Sequence, residues 1–312
     1  MDRKPIYVVG HKNPDTDSIV AAIAYAHFLR ERTGKSNIFA ARAGSLNDET
    51  KFVLKYFHEK QPILLKNLRN KNVIIVDHNE VNLALPGVKQ ANILEIIDHH
   101  RIGGMETIHP IDFVNEPRGC TSAIIAERYF KFNIPLSSKM AGLLLSAMIS
   151  DTILLHSPMT THADRVLARK LSRISGINIK KYGMQLLKSG CDLIEHSPEK
   201  IIKTDLKIYT INKRSAGIGQ VNVADSKIAL HKRRAILEEM ENIRKKMKLD
   251  YLFLMITNII TLRTDLLFTG IRTALVSRVF KKPVNENMIV LPNTVSRKKQ
   301  VQPFVLRILE TS

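Results

Sequence analysis

Gly10-His11-Lys12-Asn13-Pro14-Asp15-Thr16-Asp17-Ser18 is the stretch on which the reading of this 312-residue chain turns. The apolar run Ile6-Tyr7-Val8-Val9 before it reads as a buried strand. Behind it, Ile19, Ala22, Ile23, Ala26 and Leu29 share one stripe, which predicts a helix over 18–32 that Gly34 ends. One imidazole and two carboxylates therefore occupy a single strand-to-helix loop, a mixed nitrogen and oxygen donor set for divalent cations. Each residue alone has a plainer reading: His11 as a turn cap, Asp17 as a helix cap. The weight comes from three more clusters at the ends of later elements. Asp77-His78 follows Val73-Ile74-Ile75-Val76, Asp98-His99-His100 follows Ile93-Leu94-Glu95-Ile96-Ile97, and Asp151 follows a nearly all-apolar helix expected over 141–149.

Working outward, the two continuous β-branched runs mark central parallel strands. Strands that alternate with helices predict a mostly parallel sheet with helices on both faces. Ligand sites in such sheets lie beyond the carboxyl ends of the strands, where Asp15, Asp17, Asp77 and His99 all fall. A segment containing Gly190, Ser197 and Pro198 divides the chain into a first domain at 1–188, a hinge at 189–197 and a smaller α/β domain at 198–312. In the second domain, Lys207-Ile208-Tyr209-Thr210-Ile211 and the run 218–223 predict a hairpin. A basic helix is expected over 227–248, with strands at 251–257, 266–269 and 288–291.

Apolar residues make up 44% of the chain and charged ones 25%, an ordinary globular balance. The formal charge of +19 is spread over both halves. Its densest run, Arg244-Lys245-Lys246-Met247-Lys248, is explained by placement at a helix C-terminus. There is no Trp, and aromatic residues are 6% of the chain, which argues against stacking on bases; no nucleic-acid partner is expected. Two cysteines exclude a disulfide framework and fit a reducing compartment. The longest apolar run, 251–260, is too short to span a membrane, and the N-terminal residues do not read as a secretory signal. A cytoplasmic protein with no membrane association is expected.

Asp15, Asp17, Asp77 and Asp151 crowded together would repel strongly. Two divalent cations offset four negative charges, and His11 and His99 add neutral nitrogen donors. That mixture suits Mn, Co, Fe or Zn better than Mg or Ca. Such a site holds two ions about 3.5–4 Å apart with a shared hydroxide between them.

With Asp77, Asp98-His99-His100 and the loop at 10–18 in place, the chain resembles the DHH phosphoesterase superfamily, and within it the manganese-dependent, family II inorganic pyrophosphatases. Four more stretches carry the narrower resemblance: Gly44-Ser45-Leu46-Asn47-Asp48-Glu49-Thr50, Glu116-Pro117-Arg118-Gly119-Cys120-Thr121-Ser122, Ser150-Asp151-Thr152 and Ser296-Arg297-Lys298-Lys299-Gln300. The resemblance implies hydrolysis of pyrophosphate to two orthophosphates at a pair of Mn(II) ions, for which Co(II) can substitute, with further Mg(II) or Mn(II) arriving with the substrate. It implies that His11 and Asp15 hold one ion, that Asp17, His99 and Asp151 hold the other, and that Asp77 bridges both. His100 would contact substrate, and Asp98 would fix a histidine by hydrogen bonding. Lys207, Arg297 and Lys298 of the second domain would grip the phosphates across an interdomain active-site cleft that closes on the substrate. A homodimer through the first domain is implied as well. Two features depart from the pattern: the basic charge, and Asn258 where family members often carry Asp. The rival readings are another phosphoesterase of the same superfamily, acting on oligonucleotides, cyclic dinucleotides or short polyphosphate, and a non-enzymatic module that keeps the metals for structure.

Overall fold

Short runs rich in Ile and Val supply the central strands of the first unit. β1 (Ile6–Val9), β2 (Ile38–Arg42), β3 (Ile63–Leu64), β4 (Asn72–Val76), β5 (Asn92–Asp98) and β6 (Asp112–Asn115) form one all-parallel sheet in the order β3-β2-β1-β4-β5-β6. The computed structural model describes residues 4–190, 196–203, 205–224 and 226–311. The chain divides into two units, Met1–Ser189 and Gly190–Ser312. Residues 191–195 of the expected hinge lie outside the described residues.

The strand order reverses between β1 and β4, which opens a crevice beyond their carboxyl ends. α1 (Thr16–Thr33) begins where the Asp15 side chain accepts from the Ser18 amide at 2.9 Å, so Asp15, not Asp17, is the cap. It stops at Gly34, whose φ of +66° lets its amide return to the Arg30 carbonyl. α2 (Asp48–Tyr56) is capped by Asn47. α3 (Thr121–Lys131), α4 (Ser138–Thr152), α5 (His162–Ser175) and α6 (Ile179–Ser189) complete the unit. α4 is buried along its whole middle, from Met140 to Ile149. It runs past its expected end, so Asp151 sits inside its last turn rather than beyond it.

α1 and α3 pack on one face of the sheet. On the other face, Val9, Val73, Ile75 and Ile96 pack against Leu65, Leu68, Leu85 and Val88. A 3-10 helix, Val88–Gln90, is the helical element there. Burial of each such side chain contributes about 1.5–3 kcal/mol, which holds the strand ends, and the loops they carry, in fixed register.

The second unit is built on β7 (Lys207–Ile211), β8 (Arg214–Val223), β9 (Tyr251–Asn258), β10 (Arg263–Gly270) and β11 (Met288–Leu291), in the order β11-β10-β9-β8-β7. Among the described residues of this sheet, only β8 and β9 pair in parallel. Asn212 and Lys213, both at positive φ, turn the expected β7–β8 hairpin. β9 is wholly buried. Its Leu252, Leu254 and Ile256 pack with α7 (Pro198–Lys203) and α9 (Arg233–Lys246). Its Tyr251, Phe253 and Met255 pack with α10 (Thr273–Phe280) and α11 (Gln302–Thr311). The basic helix expected over 227–248 is two helices, α8 (Ser226–His231) and α9, with the break at Lys232.

Candidate active site

The loop after β1, the loop after β4 and the end of β5 bring their polar residues to one place. Three groups have donor atoms within 4.8 Å of one another: His11, Asp15 and Asp77; Asp17, His99 and Asp151; and Asp77, His99 and His100. His11 Nε2 lies 3.6 Å from Asp15 Oδ2 and 3.4 Å from Asp77 Oδ2. His99 Nε2 lies 3.7 Å from both Asp77 Oδ1 and Asp151 Oδ2. Asp77 is thus shared between a His11–Asp15 side and a His99–Asp151 side.

Each ligand candidate is held from behind. Asp17 is fully buried and accepts from the amides of Thr121 and Ser122, at 2.7 and 2.9 Å, at the N-terminus of α3. The Thr121 hydroxyl donates to Asp77 across 3.0 Å. Asp77 itself has φ +64°, a left-handed conformation that a residue with a Cβ adopts at a cost of about 1–2 kcal/mol. Just past Asp151, Ile153, Leu154 and Leu155 are all left-handed, and this strained turn ends α4 at the site. Asp98 accepts from the amides of His99 and His100, from His100 Nδ1 at 2.8 Å and from Asn79 Nδ2. It orients the His100 ring and holds the main chain of His99. Gly10 allows a close approach: a Cβ there would meet Ser18 Oγ at 1.9 Å and crowd Ser18 Cβ and its carbonyl oxygen at 3.0 and 3.1 Å.

The electrostatics are those of a cluster short of positive charge. Burial and mutual repulsion push the Asp77 and Asp151 carboxyls well above the usual range. Burial also raises Asp17, against the opposing pull of His99 and Ser122. Burial opposes the charge on His11, yet Asp15 and Asp77 together hold its pKa up to about 10. His99 is lowered by burial and by His100 to about 4. Neutral His99 donates from Nδ1 to the Arg118 carbonyl, and its buried Nε2 has no hydrogen-bond partner. That orphaned lone pair, aimed between two carboxylates, is what a metal-binding imidazole presents. The donor set, carboxylates with two imidazoles that would each bind a metal in the neutral form, fits a pair of divalent ions.

Residues outside the expected ligand set support this cluster. Thr121, Ser122 and Asn79 hold Asp17, Asp77 and Asp98; in the sequence, Thr121 and Ser122 stand only as part of the stretch 116–122, and Asn79 only as a contact expected beside Asp77-His78. In the second unit, Arg297 is buried and pairs with Asp205, its Nη2 lying 2.9 Å from Oδ2 and its Nη1 donating to the Ile218 carbonyl. Arg297 opens a π-helical turn, Arg297–Val301. Gln300 accepts from the amides of Val295 and Ser296 and braces that turn. Lys207 and Lys298 are exposed. Asn258 accepts from the amides of Ile260 and Thr261 at 2.9 Å, so at this position an amide caps a turn.

A parallel sheet with an Asp/His cluster where its strand order reverses defines the class as a metal-dependent hydrolase scaffold of the DHH type. Residues 5–148 match the DHH family N-terminal domain, and residues 184–308 match the DHHA2 domain. A manganese-dependent inorganic pyrophosphatase from Methanothrix thermoacetophila is 43% identical, over 96% of each chain. The one from Bacillus subtilis is 38% identical, over 96% of this chain and 97% of its own. The crystal structure of a candidate family II inorganic pyrophosphatase from Methanococcus jannaschii superposes with a TM-score of 0.84 at 38% identity, covering 98% of this chain and 99% of that one. The chain belongs to the manganese-dependent, family II inorganic pyrophosphatases of the DHH superfamily. Among the described residues, no helix is long and apolar enough to cross a membrane.

Proposed function

We propose that the chain hydrolyses inorganic pyrophosphate to two orthophosphates at a pair of Mn(II) ions. The observation that carries this is the place of Asp77 between two His/Asp groups: it groups with His11 and Asp15, and its Oδ1 lies 3.7 Å from Nε2 of His99, which groups with Asp17 and Asp151. Bound there, two such ions neutralise phosphate charge and make hydroxide available near neutral pH. Co(II) suits the same donors, and a further Mg(II) or Mn(II) accompanies the substrate.

The remaining steps fall to the chain's own residues. His99, fixed by its bond to Arg118, keeps Nε2 as a lone-pair donor. Asp98 holds His100 through Nδ1, so that Nε2 of His100 faces outward to contact a phosphate oxygen and exchange a proton with it. Lys207, Arg297 and Lys298 bind the phosphates and stabilise the charge that grows on the leaving group. Arg297 suits a bidentate contact, whereas the two lysines act as point charges. The same reading makes the protein a cytoplasmic homodimer that associates through its first unit.

Two experiments test this division of labour. A substrate panel at saturating Mn(II) should give fast phosphate release from pyrophosphate and slow or no cleavage of oligonucleotides and cyclic dinucleotides. Arg297→Ala should raise KM for pyrophosphate by tenfold or more, on the order expected for loss of a charged contact, while two Mn(II) ions remain bound. Loss of metal from that variant would refute the assignment of Arg297 to the substrate.

A further inference from the structure

The stretch Gly44-Ser45-Leu46-Asn47-Asp48-Glu49-Thr50 has no part in the ligand set, yet its Glu49 reaches the metal groups from behind. Glu49 is the second residue of α2. Its Oε1 accepts from the Thr16 hydroxyl at 2.7 Å and from the Ser150 hydroxyl. Thr16 lies between Asp15 and Asp17 in the first turn of α1, and its hydroxyl also lies 3.2 Å from that of Thr50. Ser150 immediately precedes Asp151 in the last turn of α4. One carboxylate oxygen therefore ties the backbone that carries Asp15 and Asp17 to the backbone that carries Asp151, across sequence separations of 33 and 101 residues.

The choice of acceptor is chemically specific. Two hydroxyl donors converge on one point, and each donor is adjacent to a residue of a His/Asp group. An apolar residue there would leave both hydroxyls without that acceptor. It would also remove a polar tie between the start of α1 and the end of α4, and with it one constraint on the Asp17–Asp151 spacing at the site. Outer-shell partners of this kind change metal affinity by about 10–100-fold when removed.

We infer that Glu49 is a positioning residue for the metal pair: its Oε1, by accepting from Thr16 and Ser150 together, sets the spacing of Asp15 and Asp17 against Asp151. This rests on the reading of the two His/Asp groups as a metal pair, and not on the identity of the substrate.

The test is calorimetric titration of the metal-stripped full chain with Mn(II), in the absence of pyrophosphate. Glu49→Ala should raise the Mn(II) Kd about 10–100-fold. Glu49→Gln, whose amide oxygen still accepts both hydroxyls, should stay within about threefold of the parent, since that acceptor geometry is kept. Ser150→Ala should weaken binding less than Glu49→Ala does, and adding it to Glu49→Ala should cost little more, because the two changes break one network. The inference is overturned if Glu49→Ala lowers the melting temperature of the metal-free chain while Kd is unchanged, which is simple packing. It is equally overturned if Glu49→Gln is as weak as Glu49→Ala, which would make charge rather than hydroxyl acceptance the cause. Should Glu49→Ala fail to fold, Ser150→Ala decides alone: an unchanged Kd refutes the proposal. Since no substrate is present, failure of the chain to cleave pyrophosphate would leave this result standing.

Discussion

His99 donates from Nδ1 to the main-chain carbonyl of Arg118 across 3.0 Å. A carbonyl only accepts, so this bond fixes the tautomer and leaves Nε2 as the nitrogen with a lone pair. Arg118 thus shapes the site through its backbone, from a segment that also delivers the Thr121 and Ser122 amides to Asp17. His99→Gln is expected to fold and to lose tight binding of one Mn(II) equivalent, with a larger effect than the roughly 10–100-fold of an outer-shell change. Titration calorimetry checks it; two tight equivalents in the variant would remove His99 from the ligand set.

Asp98 provides a pH signature. Burial opposes its ionisation, but the hydrogen bonds and charge of His100 overcome this and hold its pKa down to about 2. Because the folded value lies below the unfolded one, the stabilisation is present above about pH 4 and is lost as pH falls through about 2. Its size at neutral pH is about 2 kcal/mol. Asp98→Asn should therefore unfold earlier in urea at pH 7, and its curve should approach that of the parent towards pH 2.

Metal removal should have the opposite sign. The raised folded values of Asp17, Asp77 and Asp151 stabilise the metal-free chain at low pH, and that contribution is lost as pH rises through them. His11, held up to about 10, acts in the same direction from about pH 6.5 upward. His99, lowered to about 4, acts against this trend only between about pH 4 and 6.5. Above about pH 6.5 the melting temperature of the metal-free chain should fall with pH, and the gain on adding Mn(II) should grow. A gain independent of pH between 6.5 and 9, the range about these pKa values, would contradict the charge-starved cluster.

Gly44 guards the metal loop. A Cβ there would lie 2.3 Å from the Lys12 carbonyl oxygen and 2.9 Å from the Pro14 ring, both main-chain or ring atoms that cannot swing aside. Gly44→Ala should cost about 1–3 kcal/mol and weaken Mn(II) binding. Gly34→Ala is the control. It is left-handed with open space around it, so it should cost about 1–2 kcal/mol with the Mn(II) Kd intact.

The central strands were legible because β4 is a continuous β-branched run and β5 an Ile-rich one, ending in Asp77 and Asp98, and because polar residues past parallel strands collect at one edge. β3, two residues long, and β6, with Asp112 and Asn115 at its ends, carry no such pattern. They join the sheet through pairing with β2 and β5. Asp17 resembled a cap because it stands at a helix start. The burial that makes it a ligand candidate comes from α3, about a hundred residues away, and no local pattern records that. The pairing of Arg297 with Asp205 was hidden for the same reason, and so was the role of Asn258, which depends on the turn it closes.

Phosphate release from pyrophosphate, measured as the metal-stripped chain is titrated with Mn(II), tests the central claim most directly. The account predicts that turnover rises to a plateau at two equivalents per chain and is lost in Asp77→Ala, the residue shared by both sides of the site. Full activity at one equivalent, survival of activity in Asp77→Ala, or turnover of oligonucleotides in place of pyrophosphate would contradict it.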